Sequence, residues 1–240
     1  LSHLGITNKM LSLHEHNERD RAQQIIQDCL NGKTIALISD AGTPVISDPG
    51  YYLVRESLKQ GIKVSPIPGA CAAISALSCS GMPSDSFIFE GFLPAKKSSR
   101  ETKLKSLKLE KRTVIFYEST HRICECIQSM VDVLGGKRKI TLAKELTKTF
   151  ETFWFGEVAE LIPWFADEPV RKKGEFVLIV EGSGESQQTN SLLEDEALII
   201  RLLQDLSVKQ AALLAADLTG KRKKHFYQLA LDLKSCVIRE

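Results

Sequence analysis

Hydrophobic and polar positions alternate along this chain in blocks that predict helices and strands in turn. After Asn17, which can cap a helix, apolar residues recur at helical spacing as far as Leu30, and Asn31-Gly32 ends the pattern. The next block, 34–38, is short and apolar, as in a buried strand. Residues 51–60 then predict a helix, 62–67 a strand and 68–80 an Ala-rich helix. This alternation indicates an α/β unit with a largely parallel sheet.

A second α/β unit is predicted after residues 82–86, where Pro and Ser interrupt the pattern. The predicted strands are 87–89, 113–117, 140–143, 150–155 and 176–180, and the predicted helices are 98–109, 121–134 and 157–165. A polar linker follows at 182–191, after which the chain shows only helical periodicity. We therefore predict two α/β domains, 1–83 and 84–183, and a small helical module, 192–240.

Composition narrows the class of protein. The 240 residues are 43% hydrophobic and include six cysteines, none of them in CxxC spacing. Neither a disulfide framework nor a metal site is indicated, which points to a reducing cytoplasm. No apolar run approaches the ~20 residues that span a bilayer, so we expect a soluble, cytoplasmic protein without a membrane segment.

Positive charge is unevenly distributed although the net charge is only +2. Between Lys96 and Arg112 there are eight basic and two acidic residues. Smaller basic runs occur at 137–139, 171–173 and 221–224. Such patches can bind the phosphates of a polyanion, or they can simply be solvated helix faces.

The segment from Asp40 to Gly50 lies directly behind the predicted strand 34–38, where ligands bind in open α/β sheets. Gly42 allows close backbone approach, and the prolines stiffen the loop. Its carboxylates disfavour a phosphate ligand, and neither GxGxxG nor GxxxxGK[ST] occurs in the chain. Carboxylate and carbonyl groups suit a ligand with ammonium, hydroxyl or sulfonium groups. The alternative is a structural turn that caps the following helix.

Three further segments lie at predicted strand ends. The small residues of 68–77 can leave room for adenine or allow tight helix packing. His121 and Arg122 open a helix after strand 113–117 and suit a positioning or RNA-contacting role. Lys144 and Glu145 place a base beside an acid, in a cleft or as a surface ion pair.

Taken together, these segments resemble the ribosomal RNA small subunit methyltransferase I family, which comprises bacterial 16S rRNA (cytidine 2'-O)-methyltransferases of the tetrapyrrole methylase superfamily. The resemblance rests on segments 14–18, 39–50, 68–77, 89–94, 117–123, 144–148 and 173–182, and on 209–212 in the helical module. Members of that family begin with a further strand, a Thr-Pro-x-Gly-Asn loop at the cofactor cleft and an acidic Glu-Asp-Thr-Arg segment. None of these precedes Leu1, so we expect the natural protein to begin before it.

The resemblance implies S-adenosylmethionine in a cleft between the two α/β domains, and a homodimer. The cofactor residues expected from it are Asp40, Ala41, Gly42, Thr43, Pro44, Ile46, Ser47, Asp48, Pro68, Gly69, Ala70, Ala72, Tyr117 and Glu118. The expected RNA-binding residues are Lys96, Lys97, Arg100, Lys103, His121 and Arg122.

The expected reaction is methylation of a cytidine ribose 2'-hydroxyl in 16S rRNA or the small ribosomal subunit. The hydroxyl must lose its proton, and we assign Glu145 as general base with Lys144 or Arg122 placing a phosphate. Two alternatives are methylation of a tetrapyrrole carbon and a non-catalytic RNA-binding protein on the same fold. The basic patches and helical module argue against the tetrapyrrole.

Overall fold

A computed structural model describes residues 3, 5–14, 16–184 and 188–237, and the chain forms two compact units, Leu1–Gly182 and Ser183–Glu240. The helices of the first unit are α1 (Glu18–Leu30), α2 (Tyr51–Lys59), α3 (Ala72–Ser78), α4 (Lys97–Ser106), α5 (Ile123–Leu134) and α6 (Leu161–Asp167). Its strands are β1 (Phe87–Phe92), β2 (Thr113–Ser119), β3 (Lys139–Lys144), β4 (Thr152–Glu157) and β5 (Glu175–Val180). Short 3-10 turns occur at Val158–Glu160 and Pro169–Lys172.

The five strands form one mixed sheet in the order β1-β2-β5-β3-β4. Among these strands only β1 and β2 pair in parallel; β2 with β5, β5 with β3, and β3 with β4 are antiparallel. A largely parallel sheet was predicted for the first α/β unit, whose predicted strands 34–38 and 62–67 do not form; the sheet that forms lies in the second predicted unit and is mixed. The link from β3 to β4, residues 145–151, is too short for the crossover that parallel strands need.

The two faces of the sheet bury different side chains because successive residues of a strand point to opposite sides. Val114 and Phe116 of β2 pack with α4, α5 and α6 in the larger apolar cluster. Ile115 and Tyr117 face the other way, towards Ala73 and its neighbours in α3. The face that carries α3 is the one on which the candidate site lies.

The N-terminal segments differ from the prediction. Helices α1 and α2 form as expected and share a small apolar cluster that includes Ile26 and Leu53. The predicted strands 34–38 and 62–67 do not form: both segments run without strand pairing in the described structure, and Ile38 and Ile67 are exposed. A strand is stabilised by the neighbour that it pairs with, and here neither segment has one.

The second unit is helical, which confirms the predicted helical module. It contains α7 (Gln188–Leu202), α8 (Val208–Thr219) and α9 (Lys223–Val237) around a core that includes Ile199, Ala212 and Phe226. Ser207 and Gln210 form a capping box at the start of α8, and Gly220 ends that helix with a φ of 70°. No helix among the residues described is long and apolar enough to cross a membrane.

Candidate active site

The loop from Asp40 to Gly50 is folded on itself and held in an unusual backbone conformation. Val45 and Ser47 have φ angles of 75° and 59°, values that residues other than glycine rarely adopt. The Ser39 hydroxyl contacts the Asp48 carboxylate and donates to the Ala41 carbonyl at 2.8 Å. The two ends of the loop are thus tied together, which gives its backbone groups fixed directions.

Thr43 ties this loop to the second small-residue segment. Its hydroxyl donates to the Ala70 carbonyl oxygen at 2.9 Å, across 27 positions of sequence. Beside it, a Cβ on Gly42 would lie 3.7 Å from the same oxygen, and the φ of Gly42 is 76°. The predicted cofactor residues at 40–48 and 68–72 therefore meet.

Strand β1 approaches the same loop at a bulge. The pairing of β1 with β2 shifts register between Phe89 and Gly91, and Gly91 has a φ of 65°. A Cβ on Gly91 would lie 3.3 Å from the Ser47 hydroxyl oxygen. Glycine is needed here both for the backbone angle and for the close approach.

Tyr117 on β2 joins these segments. Its hydroxyl oxygen accepts a hydrogen bond from the Ala73 amide at 3.1 Å, and its ring lies edge-on to Phe89 at 5.0 Å and Phe92 at 5.8 Å. Burial raises the pKa of the Tyr117 hydroxyl, so the residue stays neutral and able to donate. The loop, the start of α3, the β1 bulge and Tyr117 form one site.

Glu118 does not belong to this site. Its side chain is completely buried on the opposite face, where it accepts the Ser119 amide at 2.9 Å and the Arg122 guanidinium at 3.2 Å. The Glu118 side chain therefore does not line the candidate site, contrary to the prediction: neighbours on a strand point to opposite faces, and Tyr117 occupies the face on which the candidate site lies. Arg122 is also bonded to the Leu93 carbonyl, and its Nε is buried without a hydrogen-bond partner in the described structure.

A positioning residue that the sequence did not reveal is Glu18, in the first turn of α1. One oxygen of its carboxylate accepts the backbone amides of Gly50 and Tyr52, each at 2.9 Å. These amides open α2, so the side chain of one helix caps the next and fixes the end of the loop. The sequence offered Glu18 only as part of segment 14–18 of the family resemblance, because the contact spans 32 positions of sequence.

The strand ends of β2 and β3 meet the start of β5 at one edge of the sheet. There Glu145 accepts the Glu175 amide and the Lys148 ammonium, each at 2.9 Å, and these bonds hold the pKa of its carboxyl below the usual 4.5. A carboxylate so held is a weak proton acceptor. Lys144 is almost fully buried, and its ammonium donates to the Val170 carbonyl at 3.3 Å.

The basic surface of α4 keeps most of its expected members. Lys96 and Lys97 are exposed, whereas Lys103 is half-buried and forms an ion pair with Glu90 at 2.7 Å. Four hydroxyl side chains lie beside Lys103 on the surface of α4, those of Ser98, Ser99, Thr102 and Ser106. His121 is exposed at the end of β2.

Arg100 is not on this surface, contrary to the prediction. Its side chain is only 2% exposed; it donates to Ser129 and to the Ala95 carbonyl, each at 3.0 Å, and pairs with Glu125 at 3.4 Å. Helical periodicity explains the difference, because Arg100 and Leu104 share the face of α4 that packs on α5.

Comparison with known proteins identifies the family. Residues 3–162 match the family model described as Tetrapyrrole (Corrin/Porphyrin) Methylases. The chain belongs to the tetrapyrrole methylase family. Residues 190–234 of this tetrapyrrole methylase match a second model, described as RsmI C-terminal HTH domain.

Curated relatives are similar over nearly the whole chain. This tetrapyrrole methylase is 52% identical over 237 residues to ribosomal RNA small subunit methyltransferase I of Vibrio cholerae, with 97% of this chain and 81% of that protein covered. It is 48% identical to the protein of the same name from Haemophilus influenzae, with 96% and 82% covered. The protein of that name from Pseudomonas aeruginosa is 47% identical, again with 96% and 82% covered.

Solved structures support the fold. The methyltransferase CobJ is 17% identical, with 74% of each chain covered and a TM-score of 0.51. Cobalt precorrin-4 methyltransferase is 13% identical, with 72% of this chain and 73% of that chain covered and a TM-score of 0.50. These likenesses bear on the fold alone and agree with the α/β class predicted from the sequence.

Proposed function

We propose that this chain transfers a methyl group from S-adenosylmethionine to the ribose 2'-hydroxyl of a cytidine in the 16S RNA of the small ribosomal subunit. The names of the curated relatives, at 47–52% identity over at least 96% of the chain, support a methyltransferase of small-subunit rRNA. The observation in the molecule that carries the proposal is the meeting of the loop 40–50 with Ala70, Gly91 and Tyr117. We further propose that it works in the cytoplasm as a homodimer.

The residues of this site fit S-adenosylmethionine. Exposed carboxylate and carbonyl groups of Asp40 and its neighbours suit ammonium and hydroxyl groups, and the positive φ of Gly42 lets the backbone approach a ligand. The side chains of Ile46, Ile67 and Ile74 are exposed on the segments that meet here, and an adenine ring would cover apolar surface of this kind. We propose that the cofactor is held by Asp40, Ala41, Gly42, Thr43, Pro44, Ile46, Ser47, Asp48, Pro68, Gly69, Ala70, Ala72 and Tyr117.

The cofactor supplies a methyl group activated by its sulfonium sulfur. The chain's own contribution is alignment, since an in-line displacement needs the ribose oxygen, the methyl carbon and the sulfur on one line. The bonds from Ser39 to Asp48 and from Thr43 to Ala70 stiffen the loop and so support such alignment. Glu145, whose bonds leave it a weak base, is better assigned to holding the 145–148 loop than to accepting the hydroxyl proton.

RNA would approach along the exposed cations. We propose that Lys96, Lys97 and Lys103 bind phosphates, with Arg122 and His121 nearer the strand ends. Arg122 is held by Glu118 and by the Leu93 carbonyl and remains partly exposed, so it can present a fixed charge to a phosphate. Phosphate contacts of this kind position an RNA without reading its sequence.

The proposal is tested by calorimetry with S-adenosylmethionine followed by transfer of a radiolabelled methyl group. Small ribosomal subunits, free 16S rRNA and a precorrin are offered as acceptors in separate reactions. We expect cofactor binding and label in the RNA of one of the first two. Label in the precorrin would instead favour tetrapyrrole methylation, and RNA binding with no transfer to any acceptor would favour a non-catalytic RNA-binding protein.

A further inference from the structure

The turn between α8 and α9 in the second unit carries a concentrated positive charge. Four consecutive cations, Lys221 to Lys224, follow Gly220, and all four residues are exposed. Gly220, with its φ of 70°, ends α8, so the chain reverses and α9 begins at Lys223. The N-terminus of α9 adds a partial positive charge to that of the side chains.

A buried carboxylate fixes this turn in place. Asp195 on α7 is 4% exposed; it accepts the Lys221 ammonium at 2.6 and 2.8 Å and lies 2.8 Å from the His225 ring nitrogen. Lys221 and His225 flank the other three cations, so both ends of the basic run are anchored to α7. A charge-assisted contact at a buried acid is costly to break, which makes the turn a rigid platform.

The three cations between these anchors have no such anchor themselves. Among the residues that the structure describes, no acidic side chain lies within ion-pair distance of Arg222, Lys223 or Lys224. Elsewhere in the unit the exposed Arg201 is paired with Asp205 at 3.3 Å. The positive charge of the turn is therefore uncompensated and available to a polyanion.

An exposed aromatic ring lies next to these cations. Tyr227 is 43% exposed and follows Lys223 by four positions, so the two side chains share one stripe of α9. Cations that hold a backbone beside a ring that stacks on a base are the combination that binds unpaired RNA. An acidic protein surface would use the cations but has less need of the ring.

We propose that the turn and the first two turns of α9 form a second RNA-binding surface, which holds unpaired RNA by phosphate contacts from Arg222, Lys223 and Lys224 and by base stacking on Tyr227. The choice of RNA over other polyanions rests on the proposed function. The surface anchors the substrate RNA through contacts in the helical unit and takes no part in the chemistry.

The test measures binding of fluorescently labelled 16S rRNA to the full chain over a range of salt concentrations. The double variant K223A/K224A is compared with R201A/K209A, which removes two positive charges from the same unit outside the turn. We expect K223A/K224A to weaken binding about tenfold or more and to lower the salt dependence by roughly 1.4–1.8 units of slope. The matched variant should stay within about twofold of wild type.

Stacking is tested at one position. Y227A should weaken RNA binding by at least about fivefold, whereas Y227F, which keeps the ring, should bind as the wild type does. Equal unfolding midpoints for all variants will show that the unit still folds.

Two outcomes overturn the inference. RNA affinity of K223A/K224A equal to that of R201A/K209A would leave an acidic protein as the better partner for the turn, and equal losses in Y227A and Y227F would exclude stacking. Methyl transfer by the wild-type chain is measured alongside. If the wild type methylates RNA and the variants bind RNA normally, this inference fails alone; if the wild type transfers no methyl group to RNA, the proposed function fails.

Discussion

Replacing Gly91 by alanine tests whether the β1 bulge supports the loop 40–50 as a cofactor site. An alanine at a φ of 65° costs about 1–2 kcal/mol of folding free energy because its Cβ crowds the backbone. At this position the new Cβ would also lie 3.3 Å from the Ser47 hydroxyl, so Ser47 must move. Displacing a side chain from its rotamer costs roughly 0.5–1.5 kcal/mol. If the loop binds S-adenosylmethionine, its dissociation constant should rise about 2- to 12-fold in G91A.

Gly81 provides the matched control. Its φ is 69°, nearly that of Gly91, but a Cβ there would meet nothing within 4 Å. Urea denaturation should show a loss of about 1–2 kcal/mol for G81A and a loss larger by roughly 0.5–1.5 kcal/mol for G91A, while calorimetry should show weaker cofactor binding for G91A alone. Equal cofactor affinity in the two variants would refute the idea that Ser47 and its loop form the binding site.

Three further predictions concern side chains outside the loop. E18A should lower the free energy of unfolding by about 1–2 kcal/mol, because the amides at the start of α2 lose their acceptor. E18Q keeps an acceptor oxygen and should retain most of this stability. Equal losses for the two variants in urea denaturation would contradict this role. Burial raises the pKa of the Cys126 thiol, which makes it unreactive. In native protein at pH 8 a maleimide should therefore label the exposed Cys79 and Cys124 and spare Cys126, as measured by peptide mass spectrometry. Fast labelling of all three cysteines would exclude the burial of Cys126. The pKa of Glu145 is lower in the folded state than in the unfolded state, so ionised Glu145 stabilises the fold at pH values above its unfolded-state pKa. This contribution is lost as the pH falls through the folded-state pKa. The stability difference between wild type and E145Q should therefore shrink between pH 7 and pH 3; a constant difference would show that the charge is not involved.

Periodicity predicted most of the helices and strands, and the reason is visible in the core. Helix α5 places its buried residues at helical spacing along one face, and the run 113–117 is buried nearly throughout, as a central strand should be. The apolar runs 34–38 and 62–67 have the same local pattern but stay unpaired. Strand pairing depends on the neighbouring segments and not on the apolar run itself, so the hydrophobic pattern alone predicted two strands that do not form.

The candidate site was likewise predicted in part from the sequence, and the rest depends on tertiary contacts. Its glycine, prolines and carboxylates marked the loop 40–50 as a candidate, although the strand 34–38 from which its position was argued does not form. Alternation along β2 separates Tyr117 from Glu118. The burial of Arg100 could be read from its helical phase with Leu104. The cap from Glu18 and the bond from Thr43 to Ala70 join residues 27 or more positions apart, and such contacts depend on the tertiary fold.

The chemistry of the product gives the most direct test of the central claim. RNA is cleaved by alkali through attack of the free 2'-hydroxyl on the adjacent phosphate, so a ribose methylated at that oxygen protects its linkage. Small ribosomal subunits labelled by this chain with radioactive S-adenosylmethionine are hydrolysed in alkali and the fragments are separated. We expect the label in an alkali-resistant dinucleotide that begins with cytidine; label in mononucleotides, or no label in the RNA, would contradict methylation of a cytidine 2'-hydroxyl.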